Sequence, residues 1–194
     1  MTTYSGIFDD VVTWTNRPKL INETAMAIRQ AVRSAHRAGV FYRDLVTVPI
    51  VGVSTANAIQ QIDLSAVAPN YRQLATLSPT GTDIYFSPVS IRDLLDHDGY
   101  PRTNVMYTVG TNLMVRPAAA YSDYTLIYNA SPITSPIENL TSWIAVLHQD
   151  LIVLWAAATI LTLIGEQEVK TRVEGLAKLA FDDLIADQLD AVGA

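Results

Sequence analysis

Between Leu151 and Ile164 the chain runs for fourteen residues without a charge, with His148, Gln149 and Asp150 before the run and Gly165, Glu166 and Glu168 after it. Such a segment must be covered on every side, and its length decides by what. The apolar core of a bilayer takes about 20 residues, whereas this run is shorter and contains Thr159 and Thr162. It reads as a helix buried in protein, and no membrane partner is expected. A second helix follows at once. Gly165, of the residue type that ends helices in the left-handed conformation, is expected to fold the two into an antiparallel hairpin.

A core large enough to bury that helix is available, since 49% of the 194 residues are apolar and only 16% charged. The net charge of -6 argues against an electrostatically driven nucleic-acid binder, whose affinity comes from clustered Lys and Arg. It is compatible with a surface past which DNA slides. With no cysteine, neither a disulfide frame nor a thiolate metal site can form. Met1 to Asp10 lack a basic start and an apolar signal core, so the protein is expected to stay in the compartment where it is made.

The chain divides into three stretches: 1–40 helical, 41–132 a β module with loops, and 133–194 the helical hairpin, together one α+β domain. In the first, Ile7 to Thr15 predicts a short helix, Asn16 to Pro18 a break, and Pro18 the first turn of a new helix. Ile21, Ala25, Ile28, Val32 and Ala35 share one face at a 3.6-residue period, and Gly39 ends the helix. The opposite side carries Arg29, Arg33 and Arg37, each four residues from the last, the densest basic row in the chain.

In the middle stretch, extended runs alternate with Pro, Gly and Asn. Val105 to Val109 and Leu113 to Val115 predict a hairpin about Gly110, Thr111 and Asn112. Tyr124, Leu126 and Tyr128 give a third strand, and Ile59 to Leu64 and Tyr71 to Leu77 are further strand candidates. Ser90 is expected to cap a helical turn reaching Leu95, and Ser78 to Ser87 a loop projecting from the sheet. A proline-bounded linker, Ser131 to Asn139, leads into the last stretch. On its final helix Val169, Val173, Leu176, Ala180 and Leu184 form the expected apolar stripe, while Asp182, Asp183, Asp187 and Asp190 crowd the last turns. Acids there oppose the helix dipole. The arginine row is the natural compensation, in the same subunit or across an interface, and these seven charged residues are the candidate interface.

Signals for chemistry are weak. His36, His97 and His148 are far apart and lack a second ligand at helical metal-site spacing. The cluster Asp93, Asp96, His97, Asp98 and Gly99 lacks the alternating acids and distal glutamate of an EF-hand and reads as a polar helix end with a turn. Nucleophile-elbow, phosphate-loop and dinucleotide motifs are missing, although a Ser, His and Asp triad could still assemble in space. The sequons at Asn22, Asn129 and Asn139 read as chance. Tyr107, Tyr124 and Tyr128, without interleaved cations, read as sheet packing and not as a base-stacking platform, and Trp143 and Trp155 read as core of the buried helix. No catalytic residue, metal or cofactor is expected.

The order of elements adds to this. An N-terminal helix opening Asn16-Arg17-Pro18 and continuing Glu23-Thr24-Ala25, a β middle ending Tyr128-Asn129-Ala130-Ser131-Pro132, and a hairpin carrying Ser142-Trp143-Ile144 and Ile164-Gly165-Glu166 together resemble the head-to-tail adaptor (connector, or head-completion) proteins of tailed bacteriophages. The resemblance spans nearly the whole chain through layout and short motifs, with a longer region from Val53 to Tyr100 than in the most compact members. It implies a mainly helical core with an inserted small antiparallel β module. It also implies a virion protein, made in the bacterial host cytoplasm and assembled as a homo-oligomeric ring, a dodecamer, between the portal and the next tail component. DNA would pass through that ring at ejection without specific binding. Another tail-completion or tail-tube component, a small metal-dependent hydrolase using Asp93 to Asp98, and a membrane-associated protein using Leu151 to Ile164 are the competing readings.

Overall fold

The computed structural model describes residues 3–52, 54–95, 99–137 and 140–193, the side chains of Thr3 and of 190–193 excepted. In chain order the elements are α1 (Thr3–Thr15), α2 (Ile21–Arg37), β1 (Leu45–Val51), β2 (Gln60–Asp63), α3 (Leu64–Val67), β3 (Tyr71–Pro79), β4 (Ser87–Pro88), β5 (Val105–Val109), β6 (Asn112–Arg116), β7 (Asp123–Ala130), α4 (Trp143–Leu147), α5 (Gln149–Ile164) and α6 (Gln167–Gly193). The fold is α+β, as the sequence predicts. It forms two compact units, a helical one from residues 1–43 and 131–194 and a β unit from Asp44–Ala130.

In the helical unit α5 is the axis, and α1, α2 and α6 pack against it. Leu151, Ile152, Ala156, Ala157 and Ile160 are at most 1% exposed, so apolar residues point inward all round the helix. Its two threonines cost little, because Thr159 Oγ1 donates to the Trp155 carbonyl (3.0 Å) and Thr162 Oγ1 to that of Ala158 (2.8 Å). The helix ends as predicted. Gly165 has φ +80°, and the Glu166 amide donates to the Leu161 carbonyl at 3.0 Å, satisfying an orphaned acceptor of the last turn.

Four details differ from the sequence expectation. Pro18 lies in the turn before α2, which begins at Ile21 with Leu20 as its cap. The buried face of α2 is Thr24, Ala27, Ile28, Ala31, Val32, Ala35 and His36, and Ile21 is 60% exposed. On α6 the buried stripe runs through Val173, Ala177 and Leu184, whereas Val169 and Leu176 face solvent. Apolar residues occur on several sides of α6, and the face that meets α5 is chosen by packing. Trp143 belongs to α4, a short helix whose Ser142 hydroxyl accepts the Ala145 amide at 3.1 Å.

The β unit holds two small sheets, β1-β7-β3 and β2-β6-β5-β4. The predicted hairpin is β5 and β6, paired from Val105↔Arg116 to Val109↔Asn112 about Gly110 (φ +60°). The predicted third strand, β7, joins the other sheet, between β1 and β3, in place of extending that hairpin. Among the described residues every strand pair is antiparallel except β4 with β5, where Ser87 and Pro88 run parallel to Val105 and Met106. Alternate residues of β7, Tyr124, Leu126 and Tyr128, enter a core shared with Ile62, Leu113 and Val115 of the second sheet. The expected loop after Pro79 is an exposed one, residues 80–85, and its end is tied to the sheet: the Phe86 amide donates to the Leu77 carbonyl at 2.9 Å, and the Phe86 ring is buried. The expected helical turn is a short 3₁₀ turn, Ile91–Asp93, in which the Ser90 hydroxyl lies 2.6 Å from the Asp93 carboxylate and caps no backbone amide.

Candidate functional site

The two ends of the helical unit's charge pattern are set by helical repeat. On α2, Met26, Arg29, Arg33 and Arg37 fall within about 80° of arc on the side away from the buried face, and with Gln30 and Ser34 they line an open groove of about 540 Å³. The Arg33 guanidinium Nε donates to Thr134 Oγ1 at 3.0 Å and that of Arg29 to the Ala25 carbonyl at 3.4 Å, while Arg37 is exposed. Met26 stands 63% exposed amid these cations.

On α6, Asp182 and Asp183 are exposed, and Asp187 Oδ2 lies 3.4 Å from His148 Nε2. Asp190 lies on the same helix, with its side chain outside the described residues. Among the described residues, none of Arg29, Arg33 and Arg37 forms an ion pair with Asp182, Asp183 or Asp187. Among the described residues, the structure therefore does not pair the arginine row with the aspartates within one molecule.

The reason is visible on the other flank of α6. There Lys170, Glu174, Lys178 and Phe181 face Gln30 and Ser34 of α2 across a second groove of about 550 Å³ floored by α5. Lys170 Nζ pairs with Glu174 at 3.5 Å, and Phe181 stacks on Trp155 with centroids 5.8 Å apart. By the helical repeat, Asp183 lies roughly opposite this flank, and Asp187, about 135° round from it, faces His148. Sequence reading missed this groove, since its residues come from three separate helices.

Other groups that could carry chemistry resolve into structural roles. Asp93 meets Ser90, and Asp96, His97 and Asp98 lie outside the described residues. Among the described residues no three His, Asp or Glu side chains are grouped so as to hold a metal. A serine and a histidine do meet, unforeseen in sequence: His36 Nε2 is 2.9 Å from Ser142 Oγ. Both are buried, at 3% and 9% exposure, and the Ser142 hydroxyl already caps α4. Trp143 stands edge-on to the His36 ring at 5.9 Å, with the Arg43 guanidinium 5.3 Å above the indole. The pair ties α2 to α4.

In the β unit, the buried Asp44 carboxylate receives Arg72 at 3.0 Å. Tyr124 and Tyr128 are core residues, and Tyr128 Oη donates to the Pro69 carbonyl at 3.0 Å. Burial pushes the hydroxyls of Tyr71, Tyr124 and Tyr128 above the ordinary tyrosine value. Asp63 is held below the usual carboxylate range by the Ser65 hydroxyl and amide it accepts. Of the sequons, Asn129 is 1% exposed and sealed within β7, Asn22 is exposed, and Asn139 lies outside the described residues. Among the described residues no helix is long and apolar enough to cross a membrane. Neither the family models nor the curated proteins compared with this chain give a match.

Proposed function

We propose that this chain is a structural subunit that assembles with copies of itself into a ring, and that the ring is a head-to-tail adaptor of a tailed-phage virion, seated between the portal and the next tail component. The observation that supports the reading best is the segregation of opposite charge on one helical unit. A row of arginines on α2 and a row of aspartates on α6 point to different sides, with no ion pair between them among the described residues. A ring of identical subunits needs two different surfaces that meet head to tail, and opposite charges on separated faces supply such a pair. The chain's overall acidity also suits a conduit for DNA, whose wall must not hold phosphates by counterion release. In this reading the protein has no catalytic activity and takes no cofactor.

The test is assembly. Purified subunits are expected to convert from monomer to complex when mixed with portal rings, because a template raises local concentration, and negatively stained complexes are expected to show a ring with a central hole. Sedimentation that finds no association with portal or tail components at any salt concentration removes the adaptor reading.

A further inference from the structure

We infer that the arginine face of α2 docks on the outward stripe of α6 of a second copy, with the two helices parallel. The inference rests on the ring reading and specifies its contact.

The α6 stripe is more than acidic. Val169, Leu176, Leu179, Asp183 and Asp187 fall within about 80° of arc, the same width as the α2 face. Leu176 is 42% and Leu179 62% exposed. Both surfaces thus carry exposed apolar residues on the N-terminal side of their charges: Met26 precedes Arg29, Arg33 and Arg37, and Leu179 precedes Asp183 and Asp187.

That shared polarity selects the orientation. The steps from Met26 through its arginines are three, four and four residues, and those from Leu179 through Asp183, Asp187 and Asp190 are four, four and three. At about 1.5 Å per residue the parallel register sets Met26 beside Leu179, Arg29 beside Asp183 and Arg33 beside Asp187, with Arg37 level with the backbone of Asp190. An antiparallel register with Arg33 beside Asp183 and Arg29 beside Asp187 also matches two charges, but it sets Met26 level with Asp190 and Leu179 level with Arg37. Only the parallel register sets the two apolar side chains against each other while pairing the charges. It also places guanidinium groups at the C-terminal turns of α6, where cations oppose the unfavourable dipole interaction of its acids.

One molecule cannot make this contact with itself, because the α6 flank that faces α2 is the opposite one, Lys170, Glu174 and Lys178. Each copy therefore offers its α2 face to one neighbour and its α6 stripe to another, so contacts propagate head to tail.

The absence of native cysteine makes a direct test clean. Met26→Cys and Leu179→Cys are made in separate chains, mixed at high concentration and with portal rings, and oxidised. A disulfide forms only where Cα atoms come within about 7 Å. The mixture is expected to give a cross-linked pair in at least roughly tenfold greater yield than Met26→Cys mixed with Val169→Cys, since Val169 lies about 15 Å further along the helix. Arg33→Glu with Arg37→Glu in the Met26→Cys chain is expected to lower that yield by roughly tenfold, and Asp183→Lys with Asp187→Lys in the partner to restore part of it. Preferential cross-linking to Val169→Cys, or equal yields, in samples that sediment as assemblies overturns this contact and leaves the ring reading standing. If no assembly forms in either condition, the ring reading falls and this contact with it.

Discussion

The helical unit gathers its apolar residues around one axis, so that α1, α2 and α6 each depend on α5, whereas the β unit spreads its core over two sheets and depends on no single strand to that degree. Their cores share no residue. Both units also pair elements distant in sequence: β1 lies beside β7, with Leu45 opposite Asn129, and α1 and α2 pack on α5 from the far side of the β segment, while α5 and α6 meet across a short turn at Gly165. The difference teaches where each unit has surface to spare. A helix covered by its neighbours fixes the inner faces of α2 and α6 and leaves their outer faces free to carry charge, while the strands commit their backbone to ladders and their alternate side chains to the shared core.

The largest effect that can break this comparison is a charge in either core. Ile160→Asp or Leu154→Asp in α5 places an unpaired carboxylate at a buried site, at several kcal/mol, and is expected to give insoluble protein without its helical circular dichroism. Leu126→Asp in β7, at a position with no exposure, is expected to unfold the β unit while the helical signal survives. If it abolishes both, the two cores do not fold independently.

Arg72→Ala follows in size. It removes the guanidinium that meets the buried Asp44 carboxylate, whose side chain is 3% exposed, and is expected to remove up to about 3 kcal/mol from the β unit. Amide exchange should quicken in β1, β3 and β7 with little change in α5, and equal quickening everywhere counts against separate units. Gly165→Ala probes the other side. Nothing lies within 4 Å of the added Cβ, so only the left-handed backbone resists it, and a loss of about 1 kcal/mol confined to the helical transition is expected.

The smallest effect is alkaline. Tyr71, Tyr124 and Tyr128 all belong to the β unit, and burial raises each above the ordinary value of 10.0. The folded β unit therefore holds these protons more tightly than the unfolded chain does. Its stability is unaffected by them below the ordinary tyrosine range and declines as the pH rises through the raised values. Tyrosinate absorbance should rise together with loss of β structure, ahead of any change in helicity.

Much of the fold was legible where the determining contacts are local. The uncharged run with Gly165 after it specifies α5 and its end, and the two-residue link at Gly110 specifies the β5-β6 hairpin. What the sequence concealed depends on distant partners. β7 alternates visibly, yet nothing in its own residues says that it lies between β1 and β3. The parallel step of β4 on β5, the folding back of Phe86, and the choice of Val173 and Ala177 over Val169 and Leu176 as the inner face of α6 are likewise settled by packing. Of the candidate site, the arginine row was plain from its four-residue repeat. The direction in which the aspartates face was not, because it follows from which flank of α6 meets α2.

Closing one helical core with both ends of the chain sets an order of events during synthesis. By the time α5 leaves the ribosome, all of residues 44–130 have already emerged, while Ala27, Ile28, Ala31 and Val32 of α2 still lack the helix that will cover them. Roughly 130 residues separate the end of α2 from that of α5, a delay of roughly 6–25 s at ordinary elongation rates. The nascent chain thus carries a ready-made β unit behind an unfinished pair of greasy helices, and each unfinished chain on a polysome is an aggregation hazard until its last third is translated.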